Sequence, residues 1–339
     1  MASKKHLALL KKAENAIGWK QYPQAIKAYD EAIKAKSNCV EAWNGKGQAW
    51  AELKEWDQAI AAFDKVIKLK PDSLDGYLNK ATTLEESNRN AEAEELYRST
   101  VDAVPDHKGA NFLFGTYLNR QKRYLESIEV LNQAIDSESD PIVLMARAFA
   151  LEQTQQYALA LADVNLVMVY GDFFVVYHTK GQLLEKLGRD EDALETYHRG
   201  MQADPNPVLL LNKTYLLEKL NRPAEAQRMY DMERLVGFEC GVPHRGLELK
   251  SQVYRKLERY DDAIAIYNEI LEMTLDNADT NADTYYELGI CYAEKGDLEA
   301  AETYIRKACA IGGDLFKSFV KDEPSLGPIR EQVLDLIES

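Results

Sequence analysis

Residues 40–71 read VEAWNGKGQAWAELKEWDQAIAAFDKVIKLKP, and three positions inside them decide the fold. Gly47 is followed after 12 residues by Ala59, and four residues later by Phe63. The same small–small–large order returns along the whole chain. The first small site is Ala13, Gly47, Ala81, Gly115, Ala148, Gly181, Thr214, Ser251 and Gly289. The second is Ala25, Ala59, Ala93, Ser127, Ala160, Ala193, Ala226, Ala263 and Ala301. The large residue is Tyr29, Phe63, Tyr97, Leu131, Val164, Tyr197, Tyr230, Tyr267 and Ile305. Successive copies lie 33 to 38 residues apart, a period of stacked helical units, not of one globular core. Small side chains let two antiparallel helices approach, and the large residue one turn on fills the groove beside them.

Composition narrows the function classes. The chain has 339 residues and a net charge of −15, with 46% hydrophobic residues, the balance of a folded soluble protein. Residues 1–40 hold eight Lys and three acidic groups, net +5, so the remainder carries −20. An acidic body lacks the basic stripe of a nucleic-acid platform, so no nucleic acid is expected. The apolar stretch Val164 to Tyr177 is interrupted by Asn165, Gly171 and Asp172 and predicts no membrane span. Cys39, Cys240, Cys291 and Cys309 show no paired spacing, which points to reduced thiols and a cytoplasmic setting.

Catalytic and metal chemistry find no footing. His6, His107, His178, His198 and His244 form no ligand pair, so neither metal nor other cofactor is expected. Gly45-Lys46-Gly47 lacks the spacing of a phosphate loop, and packing accounts for its glycines better. Asp279, Asn281 and Asp283 have the opening spacing of a calcium loop, but Thr284 and Ile290 stand where Gly and Glu are needed. Thr280 with Asp283 instead predicts a helix start. The chain is therefore read as a non-enzyme.

The layout resembles the tetratricopeptide repeat family. Gly47, Ala59, Phe63 and Pro71 match its motif, as do Ala81, Ala93, Tyr97 and Pro105, and Gly181, Ala193, Tyr197 and Pro205. Trp43 and Trp50 stand at bulky positions of a first helix, and Ser37, Ser139, Asp172 and Gly313 replace the terminal proline in other units. The resemblance implies an all-α, right-handed α-solenoid superhelix of about nine helix-turn-helix repeats. They fall roughly at 6–39, 40–73, 74–107, 108–140, 141–173, 174–206, 207–240, 244–277 and 282–315, in one domain, 1–339, with a C-terminal capping segment at 316–339. Two joints carry insertions, Gly237 to Pro243 and Asp276 to Asp283, and read as longer turns.

The resemblance also implies a binding surface, because first helices line the concave wall in this family. Counting from the first small site, the inward positions include Asn44, Leu78, Phe112, Met145, His178 and Leu211 three residues before it. One after it stand Gln48, Thr82, Thr116, Phe149, Gln182 and Tyr215. Asn79 and Asn212 match asparagines that hold a peptide backbone in relatives. Four residues after the site, Glu85, Glu152, Glu185 and Glu218 form an acidic ridge. Together these residues predict a protein or peptide partner with basic and apolar anchors. Glu14, Gly45 and Asp75 stand where relatives clamp a C-terminal carboxylate with Asn or Lys, so chaperone-tail binding is not expected. The alternative is a structural module that self-associates. Residues 1–40, net +5, oppose residues 276–339, net −8, and head-to-tail assembly of that kind would weaken with salt.

Overall fold

Helices form wherever the small sites require them, and their order is a succession of antiparallel pairs. The computed structural model describes residues 2–71, 73–103, 108–135, 140–171, 173–240, 242, 244–274 and 278–330. Contacts divide the chain into two units, residues 1–170 and 171–339. The first unit holds five pairs: α1 (Ala2–Gly18) with α2 (Tyr22–Ala35), α3 (Val40–Glu52) with α4 (Trp56–Leu69), α5 (Leu74–Glu86) with α6 (Asn90–Ala103), α7 (Lys108–Arg120) with α8 (Tyr124–Ala134), and α9 (Pro141–Gln153) with α10 (Tyr157–Val167). The second unit holds four pairs: α11 (Phe174–Lys186) with α12 (Asp190–Ala203), α13 (Pro207–Lys219) with α14 (Pro223–Cys240), α15 (Arg245–Lys256) with α16 (Tyr260–Met273), and α17 (Ala278–Lys295) with α18 (Leu298–Gly312). Among the described residues there is no strand. Each unit is thus an all-α array of solenoid type. First helices touch the next first helix along α1–α3–α5–α7–α9 in one unit and α11–α13–α15 in the other.

The small–large lock is present in every pair. All nine second small sites, from Ala25 to Ala301, are 0% exposed, so none could carry a longer side chain without displacing its neighbour. A β-carbon built on Gly47 would lie 2.5 Å from Phe63 Cε1, and one on Gly181 only 2.1 Å from Tyr197 Cε1. Gly45 is as tightly placed, 2.3 Å from the Tyr29 ring, which leaves packing as the role of both glycines around Lys46. Lys46 itself pairs with Asp30 of the preceding pair at 2.6 Å. The same register recurs at later junctions: Lys80 with Asp64, the Arg98 guanidinium over the Phe114 ring, Arg147 with Asn132, and Lys213 against His198. Five junctions between adjacent repeats are therefore held by a contact in one recurring register as well as by apolar burial.

One backbone device closes each hairpin. The residue seven after the first small site is left-handed in every pair: Lys20, Lys54, Asn88, Lys122, Gln155, Gly188, Asn221, Glu258 and Gly296. Lys54 N–H returns to Ala51 O at 2.8 Å and Glu55 N–H to Trp50 O at 2.9 Å, so the last carbonyls of the first helix are satisfied by the turn. Pro23 and Pro223 open the following helices, where their missing N–H costs nothing.

Three expectations need correction. The first part of the joint from Gly237 to Pro243 is not a loop, because α14 runs 18 residues to Cys240 and takes Gly237 to Cys240 into the helix. The second insertion also extends a helix: α17 begins at Ala278, so Thr280 lies inside it and is not its cap. Asp276, Gly241 and Pro243 lie outside the described residues, as do Pro105, Ser139 and Asp172. The end segment does cover the last pair. There α19 (Asp314–Asp322) and a 3-10 stretch, Pro324–Ile329, bury Phe316, Val320, Leu326 and Ile329 against Ala301, Ile305 and Cys309. Arg330 ties that stretch to the carbonyls of Glu323 and Val320. Of the expected capping segment, residues 331–339 lie outside the described ones.

Candidate functional site

In the first unit, the candidate residues fall on one face of α3, α5, α7 and α9. Asn79 donates to Asn44 Oδ1 at 2.7 Å, joining neighbouring first helices side by side. Gln48 and Thr82 are exposed and line a cleft of about 530 Å³ with Asn79, Lys54, Trp56 and Glu86. Thr116 is half-buried and its hydroxyl returns to Leu113 O. Phe112 and Met145 are half-buried, Phe112 packing against Leu131, Ala134 and Val143. Phe149 is 45% exposed and meets the Tyr124 ring in a T-shaped contact, centroids 5.9 Å apart. Glu152 is half-buried beside it.

In the second unit, His178, Gln182, Leu211 and Tyr215 are half-buried, whereas Asn212 is buried. Lys256 from α15 covers this place: its ammonium sits 4.3 Å from the centre of the Tyr215 ring and donates to Asn212 Oδ1. A cleft of about 570 Å³ opens alongside, lined by Leu211, Gln252, Arg255, Lys256, Glu258, Tyr260 and Glu294. The second unit therefore presents cations as well as acids.

Much of the acidic ridge already has a partner. Glu85 accepts from the Tyr97 hydroxyl at 2.9 Å and from Arg120 at 2.8 Å. Glu185 accepts from Tyr197, and Glu218 from Tyr230 at 3.0 Å. Burial, reinforced by the facing carboxylate, pushes each of these tyrosines well above the usual phenol range, so they stay donors. Sequence reasoning missed this clasp although a signal existed. Glu four after the first small site and Tyr 16 after it occur together in the same three repeats. The arrangement is broken at α15, where Arg255 takes the glutamate position. Tyr267 there reaches instead to Glu287 of the next pair at 3.4 Å, and Arg255 stands 3.5 Å from the same carboxylate. Burial still holds Glu287 and Glu294 above the ordinary carboxylate range, against the pull of Arg255.

The fold defines a protein of stacked helical hairpins whose polar side chains are spread along helix faces. Tetratricopeptide repeat profiles match residues 10–73, 78–141, 175–207 and 246–312. The chain belongs to the tetratricopeptide repeat family. A comparison with curated proteins gives no match. Among solved structures, it is similar to the C-terminal part of a TPR repeat-containing protein from Cytophaga hutchinsonii, with a TM-score of 0.53 and 15% identity over 66% of this chain and 93% of that one. It also matches a tetratricopeptide repeat protein from Parabacteroides merdae (TM-score 0.46, 12% identity, 73% of this chain and 98% of that). A third match is PilF of Pseudomonas aeruginosa (TM-score 0.46, 19% identity, 58% and 91%). At these identities the likeness concerns the fold.

Proposed function

We propose that the chain is a non-catalytic adaptor, working in the cytoplasm, that holds a segment of a partner protein along the first helices of its repeats. The carrying observation is Phe149, an aromatic left 45% exposed beside half-buried Met145 and Glu152, where Gln48 and Thr82 hold the equivalent exposed positions of earlier repeats. A large apolar ring bared on such a face is an anchor for a partner side chain. Gln48, Thr82, Asn79 and Asn44 supply amide and hydroxyl groups for the backbone, and the free oxygens of Glu185 and Glu218 supply sites for basic side chains. Cross-linking mass spectrometry on the full chain, wild type against Phe149→Ala, tests this. The reading expects a captured segment that cross-links near α9 in the wild type and is lost in the variant. Equal capture by both removes it.

A second reading has its own observation. The outer face of α10 is uncharged: Ala158, Leu159, Ala162, Asn165 and Leu166 are exposed, and Val169 just beyond is 82% exposed. Its one acid, Asp163, is buried and paired with Arg147 at 2.6 Å. Two copies of a chain with net charge −15 repel least along such a stripe, which favours self-association there. Light scattering should then show a dimer that Leu159→Glu with Leu166→Glu converts to monomer; a monomeric wild type retires the idea.

A further inference from the structure

Lys256 rests on a ring and an amide in a chain with 56 acidic residues. Its ammonium has two contacts, the Tyr215 ring and Asn212 Oδ1, and no carboxylate pairs with it among the described residues. Burial holds it below the ordinary lysine range, against the pull of the Glu185 carboxylate, which lies beyond ion-pair distance. Beneath it Asn212 is 3% exposed, and its Nδ2 has no hydrogen-bond partner. A buried amide N–H left unpaired costs on the order of 1–3 kcal/mol unless something else supplies the acceptor. Lys256 and Leu211 line the open cleft, whereas Asn212 and Tyr215 do not. The lysine thus forms the wall between the cleft and two groups suited to a ligand. Arg255, next in sequence, is engaged with Glu287, whereas Lys256 has no carboxylate within ion-pair distance among the described residues.

We propose that this end of the cleft reads an acidic side chain on a bound protein segment, with Lys256 as a latch. The ligand carboxylate takes the ammonium off the Tyr215 ring into an ion pair. The ring is then bared for a neighbouring apolar side chain, and Asn212 is freed for the segment's backbone. Glu258 and Glu294 line the same cleft and repel an acid placed further along, which confines the carboxylate to the lysine. This inference rests on the adaptor reading and refines it: the Lys256 end of the cleft selects for negative charge, whereas Glu185 and Glu218 on neighbouring helices select for positive.

The test uses the full chain and three blocked pentapeptides, acetyl-Ala-Leu-X-Leu-Ala-amide, with X as Glu, Gln or Lys. Binding is followed by nitrogen-detected NMR of the lysine ammonium groups and by the tyrosine ring signals, assigned with Lys256→Gln and Tyr215→Phe. The expected result is a roughly tenfold preference for Glu over Gln, as one charge-assisted contact confers. The Lys256 and Tyr215 signals shift together, and the preference disappears in Lys256→Gln but survives in Lys256→Arg. Equal binding of the Glu and Gln peptides, tightest binding of the Lys peptide, or a preference that persists in Lys256→Gln overturns the latch while leaving the adaptor intact. Absence of binding by all three also overturns it, and the adaptor is then judged separately by cross-linking at Phe149.

Discussion

At the scale of single residues the chain is governed by how little room the small sites leave. Gly181→Ala would drive a methyl to 2.1 Å from a fully buried tyrosine ring, and it should cost about 1–3 kcal/mol in denaturant unfolding. Gly188→Ala makes a different test, since nothing lies within 4 Å of the added carbon but φ is +70°. Its cost, on the order of 1 kcal/mol, is pure backbone, and Gly188→Asn should recover part of it. The small–large pattern behind the first prediction was legible in the sequence because steric exclusion depends on residue size alone. The left-handed position was not read, because Lys, Gln and Glu occupy it in five of nine turns and mask the glycine and asparagine of the other four. The tyrosine clasps were missed for a related reason: glutamate on a helix face reads as solvated until the partner is placed 12 residues away. Tyr197→Phe should therefore destabilise by about 1 kcal/mol while leaving helix content unchanged by circular dichroism.

At the scale of helices, periodicity located every pair but not their ends. Gly237 and Gly241 suggested a turn after α14, yet the helix continues past Gly237 to Cys240. The glycine serves a close approach instead: Val242 N–H bonds to its carbonyl at 2.7 Å, and a β-carbon there would lie 2.2 Å from Val242 O. Extending a helix satisfies backbone groups internally, which a loop of equal length leaves to water. The described part of the polar insertion, from Ala278 to Asp283, was absorbed in the same way, with Asp279 and Asp283 in the first turns, where the helix dipole favours acids. The candidate face was legible as a set of positions. The self-contact by Lys256 was not, since it arrives from a helix 44 residues beyond Asn212. The cap offers an element-scale prediction. Phe316 is buried and meets Tyr286 at 5.6 Å, so Phe316→Ala should cost about 3–5 kcal/mol. Because each repeat leans chiefly on its neighbours, hydrogen exchange should rise in α17–α19 and stay unchanged in α11 and α12.

At the scale of the whole chain, with a net charge of −15, some carboxylates are shifted in two opposite senses. In the first unit, Arg89 holds Glu92 below the usual range, and Arg123 does the same for Glu94 and Glu126. A depressed carboxylate adds stability above its unfolded pKa and loses it as pH falls through the folded value. In the second unit, burial raises Glu248, Glu287 and Glu294. A raised carboxylate acts in the reverse sense. The folded state holds the proton more tightly, so the favourable contribution is complete below the unfolded value near 4.5 and is lost as pH climbs through the folded one. Glu294→Gln isolates this effect, since Glu294 has no ion pair to break among the described residues. The variant should unfold at higher denaturant than wild type at pH 7, and the gap should close as pH is lowered toward 4.5, where the native carboxyl is itself neutral. A gap that is constant with pH, or that widens on acidification, would show that the side chain is well solvated and that the acids of the ninth repeat bear no unmet charge.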